Sequence, residues 1–112
     1  MNCVFCKIAS KQIPSQTIYE DDEIIAFKDL EPTAPVHVLF IPKKHIPSVK
    51  EINDSNSDLI SHIFKKIADL STELNLQDGF RVVTNCGENG GQSVNHLHFH
   101  VLGGRELGWP PG

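Results

Sequence analysis

The stretch NHLHFHVLGG, residues 95–104, places His96, His98 and His100 at alternate positions. Side chains along a strand point to opposite faces with a period of two. A strand over residues 94–102 therefore shows three imidazoles on one face and Leu97, Phe99 and Val101 on the other. The apolar set anchors the strand to a core. The imidazoles are then displayed on rigid backbone, which positions reacting groups better than a loop does.

Three chemistries fit such a row: polar residues of a surface strand, ligands converging on zinc, or a nucleophilic imidazole with neighbours that tune and donate. Strict alternation of three histidines disfavours the first. The preceding loop, CGENGGQS, bears on the other two. Gly87, Gly90 and Gly91 let backbone N–H groups approach a ligand closely, and successive N–H groups form an anion-binding concavity. Ser93 adds a hydroxyl three residues before His96. A phosphate cradle leading into a histidine strand points to attack at phosphorus.

Further upstream, TIYEDDEIIAFK predicts strands over 17–20 and 24–28 around an acidic turn, VHVLFIP predicts a strand over 36–42, and DGFRVVTN another over 78–85. VFCKIAS is spaced like a short helix. DSNSDLISHIFKKIADLSTELNL predicts the one long helix, with Asp54, Ser55 or Asn56 as its cap. Its apolar residues cover an arc of roughly 180°, wider than the ~100° stripe one core needs. That width suits a deeply seated helix, or one that packs on a second subunit as well as on its own sheet. One long helix, one short helix and about five strands without crossover helices predict a single α+β domain over residues 1–112, with an antiparallel sheet.

The 112 residues carry a formal net charge of −4, with 39% hydrophobic and 21% charged residues. A mildly acidic surface is a poor match for nucleic-acid backbone. No apolar run approaches membrane-spanning length, and the N-terminus lacks a signal-peptide core, so a cytoplasmic location is expected. Cys3 and Cys6 form a Cys-x-x-Cys pair. In a reducing compartment such a pair suggests metal binding or redox chemistry, beside the plainer reading of two small packed residues.

The run His96-Leu-His98-Phe-His100-Val-Leu, with GGQSV before it and GGRELGWPPG after it, resembles the histidine-triad (HIT) superfamily and its histidine-triad nucleotide-binding (Hint) branch. AFKDLEPTAPVHVLFIPKKHI resembles the same branch, and the likeness spans nearly the whole chain. Asn95 departs from it, standing where related proteins often carry an aromatic residue. The resemblance implies a homodimer with one continuous sheet, purine nucleoside monophosphate-type ligands, and hydrolysis of a bond between such a phosphate and an amine. It implies that His98 attacks phosphorus to give a nucleotidyl–histidine intermediate. His100, His96, Ser93 and His37 would assist.

By the same resemblance, Asn85, Gly91, Gln92, Ser93 and His100 would meet the phosphate and Asp29 the ribose hydroxyls. Phe5, Ile8, Ile13, Phe27 and Leu30 would line the base pocket; Trp109 would reach toward the partner subunit's pocket and shape substrate choice there, or else cap its own sheet. No cofactor is needed for this chemistry. A structural zinc held by Cys3, Cys6, His45 and His96 would complete a Cys₂His₂ shell. The rivals are dinucleoside polyphosphate hydrolysis, a metal-dependent hydrolase using the histidines as ligands, and a non-catalytic nucleotide-binding scaffold.

Overall fold

A computed structural model describes residues 2–112. The elements run α1 (Val4–Ala9), β1 (Thr17–Glu20), β2 (Ile24–Lys28), β3 (Val36–Pro42), a 3-10 turn (Val49–Glu51), α2 (Ser57–Leu70), β4 (Phe80–Val83) and β5 (Phe99–Gly103). The five strands form one antiparallel sheet in the order β1-β2-β3-β5-β4. The fold is α+β, as the strand pattern predicts. Among the described residues, no helix is long and apolar enough to cross a membrane.

The sheet carries a core on each face. Period-two alternation sends Ile24 and Ala26 of β2, Val38 and Phe40 of β3, and Phe99 and Val101 of β5 toward α2. There they meet Ile63, Ile67 and Leu70 of the helix. The intervening residues Ile25, Phe27, Leu39 and Ile41 face the other way, onto Phe5, Ile8 and Cys3 around α1. β2 and β3 are thus buried on both faces, which is why they read as nearly unbroken apolar runs. The six residues of α1 are too few to cover that second face. The uncovered part becomes a cavity.

Three elements differ from their sequence patterns. The long helix starts at Ser57, and its cap position is Asn56. The Asn56 side chain accepts from the Asn53 N–H instead of a helix N–H. The helix stops at Leu70, where the Ser71 hydroxyl turns back onto the Ala68 carbonyl. Residues 71–75 are turns, closed by Asn75 at φ 61°, a left-handed conformation that asparagine tolerates. The Phe80–Val83 strand is shorter than the 78–85 pattern, because Gly79 at φ 120° still belongs to the turn.

The third difference concerns the histidines. β5 begins at Phe99, so of the three only His100 lies in the hydrogen-bonded strand. Ladder pairing ends with Phe40 opposite Phe99. Beyond that point Pro42 has no N–H to offer, and its carbonyl accepts from His96 Nε2 at 2.8 Å. The Leu97 N–H goes instead to the Ile46 carbonyl at 2.6 Å. Side-chain alternation nevertheless survives: Leu97 joins the α2 core, while His96 and His98 pack edge-on against Phe5 of α1.

The β1–β2 turn is tied to α2 through Asp21. Its carboxylate accepts from Tyr19 Oη at 2.8 Å, His62 Nε2 at 2.7 Å, and the backbone N–H groups of Glu23 and Ile24. Partial burial opposes the charge, but these donors outweigh it and hold the carboxyl well below the usual carboxylate range. A depressed folded pKa adds stability above the unfolded value of about 3.9 and loses it as pH falls further. Asp21→Ala is therefore expected to cost about 2 kcal/mol at pH 7. In urea unfolding, that gap should shrink as pH drops below about 4. A pH-independent gap would mean that packing, not charge, holds the turn.

Candidate functional site

The cavity left by α1 has a volume of about 420 Å³. Its walls bring together Phe5, Ile8, Ile13, Phe27, Asp29, Leu30, His37, Ser93, His98 and His100, ten residues singled out from sequence. The apolar members form one side. The polar members cluster where β3 meets β5. Leu39 pairs with His100 across that junction and Leu102 with His37, so the two imidazoles lie on a diagonal of the same face. Their ring centroids are 5.1 Å apart, and those of His98 and His100 also 5.1 Å.

Hydrogen bonding fixes how each ring presents itself. His98 Nδ1 lies 2.7 Å from the His96 carbonyl, which can only accept. Nδ1 therefore carries the proton, and Nε2 keeps its lone pair. His37 is the reverse. Its Nδ1 accepts the Thr33 N–H at 3.1 Å, so its proton sits on Nε2. That nitrogen is 2.9 Å from His100 Nδ1. His100 accepts there and holds its own proton on Nε2.

Two adjacent imidazoles are thus set as opposite tautomers, His98 with a free electron pair and His100 with an N–H. Burial, and secondarily the neighbouring His98 and His37, push the His100 pKa down to about 4, so it is neutral at pH 7. Burial lowers His37 too, against the pull of Asp29. Asp29, His37 and His100 also converge closely enough to hold a cation. The Thr33 N–H argues against that use, because His37 Nε2 then offers a proton rather than a lone pair.

The glycine loop spends part of its N–H set on itself. Gly91 N–H donates to the Glu88 carbonyl, Gln92 N–H to the Gly87 carbonyl, and Gly87 N–H to Gln92 Oε1. Gln92 Nε2 donates to the Pro47 and Val94 carbonyls. These groups brace the loop itself. Gly90 is required for closeness: a Cβ there would lie 2.5 Å from the Cys86 carbonyl oxygen. Asn85, Gly91 and Gln92 are absent from the cavity walls, whereas Ser93 is present. Trp109 lies outside the cavity of its own chain, 82% exposed on a tail held by Arg81 Nη2 donating to the Gly108 carbonyl, where a second subunit could meet it. Thr33 and Lys28 line the cavity and were missed from sequence. Thr33 acts through its backbone, so its side chain carries no signal.

His96 faces a second cluster behind the cavity. Its Nδ1 lies 3.3 Å from Cys3 Sγ, 3.5 Å from Cys6 Sγ and 3.2 Å from His45 Nδ1. Cys6 Sγ is 3.2 Å from His45 Nδ1. A tetrahedral zinc with bonds of about 2.0–2.3 Å holds its ligand atoms about 3.3–3.8 Å apart. The separations among these four atoms, 3.2–3.5 Å for four of the pairs and within 4.8 Å for all, are close to that shell. His96 Nε2–H donates to the Pro42 carbonyl, which leaves the Nδ1 lone pair for a cation. Burial, with His45 and His98 adding to it, keeps His96 neutral, its pKa lowered to about 4.

A family model described as "Scavenger mRNA decapping enzyme C-term binding" matches residues 2–107. An uncharacterized HIT-like protein of Synechocystis is 46% identical over 109 residues, covering 97% of this chain and 96% of the relative. The chain belongs to the HIT family. Among solved structures, a HIT family hydrolase from Legionella pneumophila Philadelphia 1 superposes with a TM-score of 0.96 at 46% identity, covering 99% of this chain and all of that one. A histidine triad protein from Clostridium difficile gives 0.93 at 50% identity, covering 96% and 95%. The HIT signature of this chain, His96, His98 and His100, is thus divided by the fold. His98 and His100 line the cavity, and His96 turns to the cysteines.

Proposed function

We propose that this HIT protein is a nucleotide-binding hydrolase that cleaves purine nucleoside phosphoramidates through a covalent nucleotidyl–histidine intermediate. The observation that carries this reading is the pairing of opposite tautomers at His98 and His100. An electron pair and an N–H, side by side on one wall, match a phosphoryl group: the first meets phosphorus and the second a phosphoryl oxygen. The Legionella relative being a HIT family hydrolase supports the reaction class.

In the proposed reaction, His98 Nε2 attacks phosphorus as the phosphorus–amine bond breaks. The amine takes a proton from water relayed through the Ser93 hydroxyl. The hydroxide left by that water then attacks the same phosphorus and breaks the His98–phosphorus bond. The products are a nucleoside monophosphate, a free amine and regenerated imidazole, with one water consumed. His100 Nε2–H bonds the phosphoryl oxygen as its charge grows. The base would lie among Phe5, Ile8, Ile13 and Phe27, and the ribose at Asp29, whose ionised carboxylate accepts two hydroxyls.

Cys3, Cys6, His45 and His96 would hold a structural zinc that ties α1 to the segment before β5. When bound, it supplies cross-linking and no chemistry at the phosphate. A homodimer through the edge strand β4 is proposed as well. Phe80 on that edge is 39% exposed and Phe64 of α2 46%, large apolar side chains that a second copy would cover.

The test is incubation with adenosine 5′-phosphoramidate. Release of amine and adenosine monophosphate, with an adenylyl adduct on His98 trapped by rapid quench and mass spectrometry, is expected. Turnover of dinucleoside polyphosphates alone would transfer the reading to that substrate class. Binding of the monophosphate with no turnover of either would make the protein a scaffold.

A further inference from the structure

The His37 Nε2–H is bonded to His100, and an ionisable oxygen of Asp29 lies beside the same nitrogen, off the line of that bond. His100 Nδ1 lies at 2.9 Å and Asp29 Oδ2 at 3.3 Å. The His37 side chain is 5% exposed and that of Asp29 21%, so Asp29 reaches solvent while His37 does not. The other Asp29 oxygen, Oδ1, is engaged by the Glu31 N–H at 2.8 Å. Oδ2 is therefore the oxygen that must serve both His37 and anything arriving from the cavity.

The bond to His100 holds the proton, and the Asp29 charge beside it competes for it electrostatically. A hydrogen bond into His100 Nδ1 polarises that ring and strengthens its Nε2–H as a donor. An ionised Asp29 with no other partner draws the same proton away. Hydroxyl groups donating to Asp29 Oδ2 satisfy it and return the proton to His100. We propose that Asp29 and His37 form a positioning pair through which ribose hydroxyls set the donor strength of His100. Ribose discrimination then appears in kcat as well as in KM. The inference rests on the hydrolase reading above for its kinetic form, but its hydrogen-bond form stands on nucleoside binding alone.

Two measurements test it. The first compares adenosine 5′-phosphoramidate with its 2′,3′-dideoxy analogue. In the unaltered protein the dideoxy substrate should lose about fivefold or more in kcat, the worth of one polarised hydrogen bond, beyond any rise in KM. Asp29→Asn is the decisive variant. With Oδ1 still accepting from Glu31, its amide NH₂ faces His37 and cannot accept the proton. The proton then stays on the bond to His100, and kcat should become equal for the two substrates. An equal kcat in the unaltered protein, or a kcat difference that persists in Asp29→Asn, overturns the pair while leaving the hydrolase reading in place.

The second measurement needs no turnover. Adenosine added to protein labelled with ¹⁵N-histidine should move the His37 and His100 ring nitrogen signals, and 2′,3′-dideoxyadenosine should move them much less. Equal shifts from both nucleosides, or none from either, overturn the pair. Absence of turnover with the expected shifts would sink the hydrolase reading alone.

Discussion

Replacing His98 with alanine is expected to lower kcat by at least about 10⁴-fold, the scale seen when a covalent nucleophile is lost. Affinity for adenosine monophosphate should stay within about threefold. The two outcomes separate because attack and nucleotide binding would fall to different residues. In the proposed mechanism the His98 Nε2 makes the bond to phosphorus, and the other two cavity imidazoles are committed as donors: His100 offers an N–H, and His37 donates to His100. The proposed base and ribose contacts would lie on Phe5, Phe27 and Asp29, which the substitution leaves in place. His98 is only 4% exposed and meets Phe5 edge-on at 5.0 Å, so alanine also opens a void. His98→Asn controls for that cost. Its amide N–H can replace the bond to the His96 carbonyl, keeping the local backbone, yet it carries no nucleophilic nitrogen. Both variants should be folded by circular dichroism and inert by single-turnover assay. Turnover near the unaltered rate in either one would end the covalent mechanism.

Why the site was readable from sequence follows from what each residue contributes. Alternation of His96, His98 and His100 with Leu97, Phe99 and Val101 is a local property of extended backbone, so the face assignment survives even where the ladder does not. The strand start was misplaced because it depends on Pro42, more than fifty residues away, whose missing N–H ends the pairing. The helix end was misplaced for a related reason. Leu74 fits the helical period, but Ser71 and Asn75 offer side-chain and left-handed alternatives that period counting ignores. The glycine loop shows the limit of composition. GENGG is rich in N–H groups, and two of them, on Gly87 and Gly91, turn inward onto Gln92 and Glu88. The tautomers of His37 and His98 were out of reach altogether, since both depend on backbone atoms, the Thr33 N–H and the His96 carbonyl. Residue type says that an imidazole is present; only the partner of its other nitrogen says whether it attacks or donates.

Removing the proposed zinc is expected to produce the largest change in stability. The four ligand positions come from α1, from the turn after β3 and from the segment before β5, and Cys3 and His96 stand 93 residues apart. A cation there closes long loops and fixes the α1 face, which is otherwise held by a small apolar cluster of Phe5, Ile8, Leu39 and Ile41. A ligand that binds only the folded chain stabilises it by about 4 kcal/mol when present at a thousand times its dissociation constant. In a domain of this size that corresponds to a melting temperature higher by roughly 15 °C. Cys6→Ser should therefore melt at least about 10 °C lower, and elemental analysis should fall from one zinc per chain to none. His45→Ala should do the same, since it removes a proposed ligand while leaving every α1 residue unchanged. Fold class should persist in both, because the α2 core of Phe40, Ile63, Phe99 and Val101 lies on the opposite face of the sheet. The logic is independent of catalysis: a metal-free protein from zinc-supplied cultures, melting together with Cys6→Ser, would mean that the two thiols and two imidazoles meet as ordinary buried neighbours.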